Sequence, residues 1–288
     1  MSAPALRAAA VRWPELVAGI RSRLWWIWGA LLLALLVVAV AGDRFASQEL
    51  LGQAPTDRLL PPLSRTATGL HVLGTDELGR DLLSRIIVAA RLTVFIALSA
   101  SVIGLVVGVT VGMCAGYFGG WIDRVGMRLT EMQTALPMFL FVIMLMTVTG
   151  PSVTNLVVLL PTFVWPTIAR VVRVETQQLR AAPFVIGAVA LGAGNRQVLL
   201  GHILPNLAPR LAVLFVIEIG QVVLAEAGLS FLGAGIQDPD LTWGLLIASG
   251  RDFLAVAWWL TIMPGVFLAC GVFAVNMLSR TFERRSQA

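Results

Sequence analysis

The sequence predicts an all-α integral membrane protein with six transmembrane helices. Of its 288 residues, 58% are hydrophobic and only 13% are charged, and the mean hydropathy is +0.86. A soluble domain rarely hides so much apolar surface. The apolar residues are also gathered into runs of about 20, the helical length that crosses a hydrocarbon core. Composition and run length together therefore give the fold class.

Six apolar runs qualify as transmembrane helices. We expect Pro161 and Pro166 to kink the fourth, because proline removes a helical hydrogen bond. The remaining chain divides into a cytoplasmic N-terminus (1–23), an external loop (42–91), a five-helix core (92–278) and a cytoplasmic tail (279–288). The six runs are 24–41, 92–118, 135–149 with an extension back over Leu129 and Met132, 153–169, 211–231 and 253–278.

The arginines orient the chain. If the N-terminus is cytoplasmic, the segments 1–23, 119–134, 170–210 and 279–288 lie inside, and 42–91 and 232–252 lie outside. The inside segments hold fourteen of the 21 basic residues. Because basic residues favour the cytoplasmic side, this distribution places both termini inside a bacterial or archaeal plasma membrane. The same clustering explains the net charge of +5, so we predict no nucleic-acid partner.

The basic residues are all arginine, and the chain contains no lysine. A P-loop that cradles nucleotide phosphates needs a lysine before its serine or threonine. If the protein performs ATP-driven work, another polypeptide must therefore bind the ATP. Cys114 and Cys270 both lie in apolar runs and form no metal-binding spacing. We expect no catalytic residue, metal or cofactor in this chain.

The segment 180–206 lies between two spans and is predicted to form a helix, a break and a second helix, too short to span a bilayer. Pro183 suits the first turn of a helix, and Gly192 suits its end. We expect Asn195 to cap a second helix that runs toward Pro205. The segment could lie on lipid as an interfacial helix, or dock into a cleft of a soluble partner. The apolar pattern alone favours neither interpretation.

The spacing from Gly192 to the sequence His-Ile-Leu-Pro-Asn at 202–206 resembles the cytoplasmic coupling loop of ABC importer permeases. The variant is similar to the dipeptide/oligopeptide/nickel branch. Ile186 stands where that family usually has glutamate, so we expect apolar docking rather than an ion pair. The resemblance implies that ATPase coupling is carried by Phe184, Ala188, Gly192, Asn195, Arg196, His202, Leu204 and Pro205.

Three further stretches resemble the same branch in the same order, at 71–81, 115–123 and 225–233. They favour the second of two permease subunits, the one with six spans. The resemblance implies a non-catalytic subunit that forms half of a pathway working by alternating access. Its implied partners are a second homologous permease, two ATP-binding subunits or domains that hold ATP and Mg, an external substrate-binding protein and membrane lipid.

The implied substrates are dipeptides or short oligopeptides, with nickel, glutathione or another small solute as alternatives. A secondary transporter is a rival function, although no inverted repeat is clear in the sequence. An intramembrane enzyme is the weakest rival, because both histidines lie outside the predicted spans.

Glu218 and Glu226 are the two acids inside a predicted span, and their spacing of eight residues puts them on one helical face. Ionisable groups at membrane depth usually face a bundle interior or a water-filled path. Both are therefore candidates for lining the pathway. Glu226 lies near the outer end and could instead hold the external loop, and Glu218 could instead bond to a neighbouring helix.

Two other patterns suggest structural roles. We interpret His71 as structural rather than metal-binding, because a lone histidine lacks the three or four ligands of a metal site. Asp76 and Asp81 are expected to cap turns and to pair with Arg80 and Arg85. Glycines recur every four residues from 104 to 116, which predicts close helix packing within the bundle or against a partner permease.

Overall fold

The computed structural model describes residues 29–30, 33–34, 37–42, 52–66 and 69–286, with side chains to Ser279. The predicted first span (24–41) and the cytoplasmic N-terminus lie largely or wholly outside these residues. The described part is mostly helical, as expected. Its helices are α1 (Leu82–Phe118), α2 (Gly120–Ala135), α3 (Met138–Thr149), α4 (Val153–Leu159), α5 (Pro161–Arg180), α6 (Pro183–Ala190), α7 (Asn195–Gln197), α8 (Leu204–Phe231), α9 (Trp243–Gly250) and α10 (Trp259–Ser286), with a π-helical turn at Val198–Ile203 and 3₁₀ turns at Pro55–Asp57 and Arg251–Phe253.

Four helical stretches among the described residues are long and apolar enough to cross a membrane, and a bent pair of helices could supply a fifth. The bent pair is α2 and α3, whose axes differ by 82°. The four stretches are Leu82–Phe118, Val153–Arg180, Asn195–Phe231 and Trp259–Ser279.

The third predicted span is wrong in its shape. We expected one helix over 135–149 that extends back past Leu129, but the chain turns sharply at Leu136 and Pro137. Leu136 has the extended ψ of 128°, which a following proline favours by steric exclusion of the helical region. Pro137 then becomes the N-cap of α3. Proline also has no N–H to donate to the preceding helical turn. A continuous helix is therefore interrupted at this point, although the apolar run continues through it.

Several other boundaries also differ from the predicted ones. Helix α1 begins ten residues early, because the Asp81 carboxylate accepts a 2.8 Å hydrogen bond from the Ser84 N–H and caps it. Residues 82–91 therefore belong to a helix rather than to the predicted external loop. Helix α10 begins at Trp259 instead of residue 253, since a 3₁₀ turn precedes it, and it runs on to Ser286 in the predicted tail.

The glycine ridge of α1 packs against α5 of the same chain, which confirms the helix-packing prediction. A β-carbon at Gly108 would lie 2.7 Å from Ile168 Cβ and 2.8 Å from the Trp165 carbonyl oxygen. These spacings leave no room for a side chain, so glycine permits the two backbones to approach. Gly104, Gly112 and Gly116 face Val164, Ala169 and Arg173 of α5 in the same way.

A small layer, which we call the hairpin layer, consists of residues 52–81 together with α9. Two short strands, β1 (Ser64–Thr66) and β2 (Gly69–His71), pair antiparallel in this layer. Among the described residues, the other elements are helices and helical turns. The indole of Trp243 donates to the Ile86 carbonyl at 2.9 Å. These contacts fasten the layer to the first turns of α1.

Candidate functional site

The predicted coupling segment, residues 180–206, starts with a helix that ends in a left-handed turn. Gly192 has a φ of +88°, which an L side chain rarely adopts. The Gly192 N–H donates to the Val189 carbonyl and the Ala193 N–H to the Ala188 carbonyl, each at 3.0 Å. This pair of bonds is a Schellman motif, and it satisfies the last carbonyls of α6. The predicted role of Gly192 as a turn residue is confirmed.

Asn195 does not cap the second helix as predicted. Gly194 occupies the N-cap position without a side-chain bond. The Asn195 side chain instead accepts a 3.0 Å hydrogen bond from the hydroxyl of Tyr117, at the end of α1. The guanidinium of Arg180 lies 5.7 Å above the same tyrosine ring, at cation–π distance. Tyr117 thus contacts the start of the coupling segment at Arg180 and its middle at Asn195, and links both to the end of α1.

The second half of the segment continues without interruption into α8. A π-helical turn over Val198–Ile203 precedes Pro205, which has no N–H to donate. A wider turn accommodates proline in a helix, and such turns are frequent at functional sites. At His202 the backbone carbonyl accepts a 2.6 Å bond from the Asn206 side-chain amide.

The segment presents apolar side chains to its surroundings. Val185, Val198 and Ile203 are buried in the core and anchor the segment. In contrast, Leu191 is 91% exposed. Phe184, Ile186 and Val189 are about half exposed on the same helix. The cluster lies on α6, which the turn at Gly192 separates from the stretch that continues into α8. Exposed apolar patches of this kind commonly mark contacts with other proteins.

The other residues predicted for coupling lie close to this exposed cluster. Ala188 is half-buried, and Arg196 is exposed beside Asn195. Leu204 is half-buried against the core, and Pro205 is exposed in the first turn of α8. The structure therefore brings the predicted residues together on one connected stretch, while their coupling role stays a prediction.

Glu226 holds the connection between α8 and α9. Its Oε1 accepts 2.8 Å hydrogen bonds from the hydroxyls of Ser230 and Thr242. Thr242 also caps α9 by accepting from the Leu245 N–H at 3.1 Å. Glu226 therefore holds a loop, as one of our two interpretations expected. Its carboxylate is only 1% exposed.

Glu218 is buried on the same helix, with 5% of its surface exposed. A cavity of about 370 Å³ opens between α1, α8 and α10, lined by apolar groups such as Val216 and Val223. Glu218 is not among the residues that line it. The structure thus places the two acids inside the bundle, and their part in a pathway stays a prediction.

The polar residues of the hairpin layer satisfy one another. Both ring nitrogens of His71 have partners, Asp81 at 3.0 Å and Thr66 at 3.2 Å. These contacts agree with the structural interpretation of His71. The Asp76 carboxylate accepts bonds from Arg80 Nε at 2.7 Å and from Arg85. The predicted pairing with arginine is confirmed for Asp76 but not for Asp81, whose carboxylate bonds to His71 and the Ser84 N–H.

Two functional contacts were missed from the sequence. Tyr117 is the single tyrosine of the chain and lies at the end of an apolar run. Because a tyrosine hydroxyl in apolar surroundings usually finds a hydrogen-bond partner, this position could have indicated such a contact. Arg173 of α5 pairs with Asp123 of α2, with Nη2 2.6 Å from Oδ2. No local pattern signals that pair, because 50 residues separate its members.

Comparisons with known proteins agree with this architecture. Residues 108–287 match the family described as binding-protein-dependent transport system inner membrane component. The chain is 34% identical over 223 residues to the oligopeptide transport system permease protein OppC of Haemophilus influenzae, covering 77% of this chain and 72% of the relative. It is 34% identical over 249 residues to the dipeptide transport system permease protein DppC of Bacillus subtilis, covering 86% and 76%.

A third relative is the glutathione transport system permease protein GsiD of Escherichia coli, 36% identical over 208 residues, covering 72% of this chain and 69% of the relative. Among solved structures, an inward-facing conformation of the MetNI methionine ABC transporter superposes with a TM-score of 0.53 at 18% identity. It covers 70% of this chain and 97% of the other chain, which shows a shared fold.

These matches remove the rival functions. A permease of this family is non-catalytic, because separate ATPase subunits hydrolyse ATP, and it works with a substrate-binding protein. The secondary transporter and the intramembrane enzyme are therefore excluded. The chain belongs to the family of inner membrane components of binding-protein-dependent transport systems, the multi-pass permease subunits of ABC importers of the peptide type.

Proposed function

We propose that this subunit imports dipeptides or short oligopeptides, as one of two homologous permeases above a pair of ATP-binding subunits. The relatives named for oligopeptide, dipeptide and glutathione transport support this substrate class. ATP and Mg would be bound by the ATPase subunits. Both termini would lie in the cytoplasm, together with the coupling segment.

The observation that carries the proposal is the exposed apolar cluster of α6. Four large apolar side chains, among them Leu191, project from the eight residues 184–191, between Arg180 and Arg196 in the chain. We propose that this cluster fits a cleft of the ATPase and that closure of the ATPase pair pulls it. Because the segment continues through the π-turn into α8, displacement of the cluster would re-orient a membrane helix.

Nickel and other small solutes remain the alternative cargo within the same importer. The assay that decides is uptake by the assembled importer with its binding protein, using peptides of graded length. We expect ATP-dependent uptake of short peptides. Uptake that ignores peptides but follows metal chelates would overturn the substrate proposal and leave the permease assignment intact.

The coupling role can be tested with Gly192→Val and its matched control Gly194→Val. Both glycines are exposed and have no atom within 4 Å of an added β-carbon. Only Gly192 has the left-handed φ of +88°, whereas Gly194 has a φ of −72°. A left-handed β-branched residue costs at least about 1–2 kcal/mol, so Gly192→Val should distort the turn.

We expect Gly192→Val to insert into the membrane normally but to lose most ATP-driven uptake, while Gly194→Val keeps it. Membrane content is followed by immunoblot and uptake by labelled peptide. Normal uptake by Gly192→Val would contradict the coupling role of this turn.

A further inference from the structure

Helix α9 is a short helix that packs against α1, α8 and α10. Its N-terminal end is held by hydrogen bonds to two of these helices. The Trp243 N–H donates to the Thr93 hydroxyl of α1 at 3.0 Å, beside the bond from the indole to α1. The Thr242 hydroxyl donates to Glu226 of α8 at 2.8 Å. The first turn of α9 is therefore fastened to both α1 and α8.

Each end of α9 also lies against a buried oxygen atom that forms no hydrogen bond. Glu226 Oε2 and Thr261 Oγ1 have no partner among the described residues. A β-carbon on Gly244 would lie 2.9 Å from the glutamate oxygen, and one on Gly250 would lie 2.5 Å from the threonine oxygen. The α9 backbone thus covers both oxygens directly, and glycine at each end permits the close approach.

These two oxygens make the packed position of α9 less favourable than its apolar contacts alone would suggest. A polar atom that is buried without a partner has given up its hydrogen bonds to water and received none in return. Such atoms are rare in native proteins, and each one requires an explanation such as stored strain. Movement of α9 away from α8 and α10 would let both oxygens find hydrogen bonds again. The two oxygens therefore favour a second position of α9.

Helix α8 connects α9 to the coupling segment. The stretch Asn195–Phe231 is a single helical span, so its coupling-segment end lies about 45 Å from Glu226 at 1.5 Å per residue. A shift of this stretch relative to α1 would pull Glu226 away from Thr242, because the neighbouring Trp243 is bonded to α1. The bond between Glu226 and Thr242 is thus the contact that such a shift would break first.

We propose that α9 is a movable plug at the hairpin-layer end of the bundle. In the structure it is packed over Glu226 and Thr261, and a displacement of α8 releases it. Trp243 is part of the wall of the cavity between α1, α8 and α10, so release of α9 opens this cavity. Movements of short elements of this kind control access to many sites. That the ATPases drive the displacement rests on the proposed function.

The stored strain is tested by two substitutions that act on one contact in opposite directions. Thr261→Val replaces the unpartnered hydroxyl with a methyl group of similar size, so hydrogen exchange of residues 243–250 should slow about tenfold. Gly250→Ala places a methyl group against Thr261 Oγ1 and the Leu260 backbone, so exchange should accelerate about tenfold. Both are measured in the assembled importer without nucleotide. Thr147→Val, whose hydroxyl bonds within its own helix, should leave this exchange unchanged.

The functional part is tested by trapping the ATPases with vanadate and by uptake. Trapping should accelerate exchange of residues 243–250 about tenfold in the wild type and by a smaller factor in Thr261→Val. The same variant should import labelled peptide about fivefold more slowly at saturating peptide, because α9 stays packed longer. Thr261→Ser restores the hydroxyl and should recover both exchange and uptake. A purely structural threonine would not combine a better-protected helix with slower uptake.

Exchange that is unchanged or faster in Thr261→Val would overturn the proposal. Exchange of residues 243–250 that ignores vanadate would also overturn it, and so would normal uptake by a Thr261→Val importer in which α9 is better protected. If the importer carries no peptide, but vanadate still accelerates this exchange, then α9 moves as proposed and the peptide assignment fails.

Discussion

The hairpin layer and the coupling segment lie at opposite ends of α1 and differ in the side chains that they bury and expose. In the hairpin layer, Asp76 is 3% exposed and bonded to two arginines. In the coupling segment, Leu191 is 91% exposed, and Tyr117–Asn195 is a single hydrogen bond to the bundle. Both regions leave apolar side chains exposed, Leu63 of the hairpin layer by 71%, so the difference lies in the buried charged network that only the first region contains.

The difference follows from the cost of each kind of group. A buried carboxylate must find its partners inside the same fold, because an unpaired buried charge is strongly destabilising. An exposed leucine costs little in one chain but gains free energy when a partner covers it. The buried charged network should therefore contribute more to the stability of this chain than the contacts of the coupling segment do.

The two ends are joined by α1 and α5. The glycines of α1 let the α5 backbone approach closely, and Asp123 binds Arg173 at the side of this pair. Tyr117 then connects the same helix to the coupling segment. If the coupling segment transmits force, as proposed, its displacement would reach this closely packed pair of helices first.

The largest effect is expected in the hairpin layer. Asp76→Ala leaves Arg85 buried without its carboxylate and should lower stability by about 3–5 kcal/mol. Asp252→Ala is the control, because the Arg251–Asp252 pair is exposed and such pairs contribute about 0–1 kcal/mol. Thermal unfolding in detergent measures both. A similar small loss for the two variants would remove the contrast between the regions.

The close packing of α1 on α5, which connects the two regions, is tested by Gly108→Ala. Its new methyl group would clash with Ile168 and with the Trp165 carbonyl, and overpacking costs about 1–3 kcal/mol. Gly265→Ala in α10 is the control, since nothing lies within 4 Å of an added β-carbon. Alanine there should gain up to about 1 kcal/mol through helix propensity. Stabilisation by both substitutions would show that α1 and α5 can separate freely.

A smaller effect is expected where the hairpin layer meets α8. Thr242→Val removes the cap of α9 and the bond to Glu226, with an expected loss of about 0.5–2 kcal/mol. Hydrogen exchange of residues 243–250 should accelerate. Thr147→Val is the control, because its exposed hydroxyl bonds only within its own helix, to the Ile143 carbonyl. Unchanged exchange in Thr242→Val would show that α9 is held by its tryptophan alone.

The smallest effect on stability is expected at the coupling segment. Tyr117→Phe removes the hydroxyl bond to Asn195 but keeps the ring beneath Arg180, a loss of about 1 kcal/mol. We expect more ATP hydrolysed per peptide imported, because the segment is held less firmly. Thr110→Val on the same helix deletes an exposed hydroxyl and should change neither quantity. An unchanged ratio in Tyr117→Phe would contradict the link.

Local rules predicted what depends on neighbouring residues. Gly192 makes the left-handed turn and the glycine ridge packs against a helix, as predicted, while Asp81, expected to cap a turn, caps α1. Each of these properties is set by the chemistry of a few adjacent positions. The break at Pro137 was within reach of the same rules, because proline disfavours a helical residue before it. The prediction of one continuous span relied on the apolar run and ignored this effect of Pro137.

Other features depend on distant parts of the chain. The partner of Asn195 lies 78 residues away at Tyr117. Arg173 and Asp123 are 50 residues apart. A single sequence contains no local signal for such pairs, so a capping role was the available interpretation of Asn195.

The sequence by itself determined the membrane environment, most of the spans, the absence of a P-loop lysine and the position of the coupling segment. These properties depend on composition and on short-range periodicity, which are independent of how the helices pack. Only the tertiary structure decided that the glycine ridge faces α5, that Tyr117 holds Asn195 and that Arg173 pairs with Asp123. Such contacts arise when packing brings remote side chains together, because burial of shared surface, rather than sequence proximity, selects them.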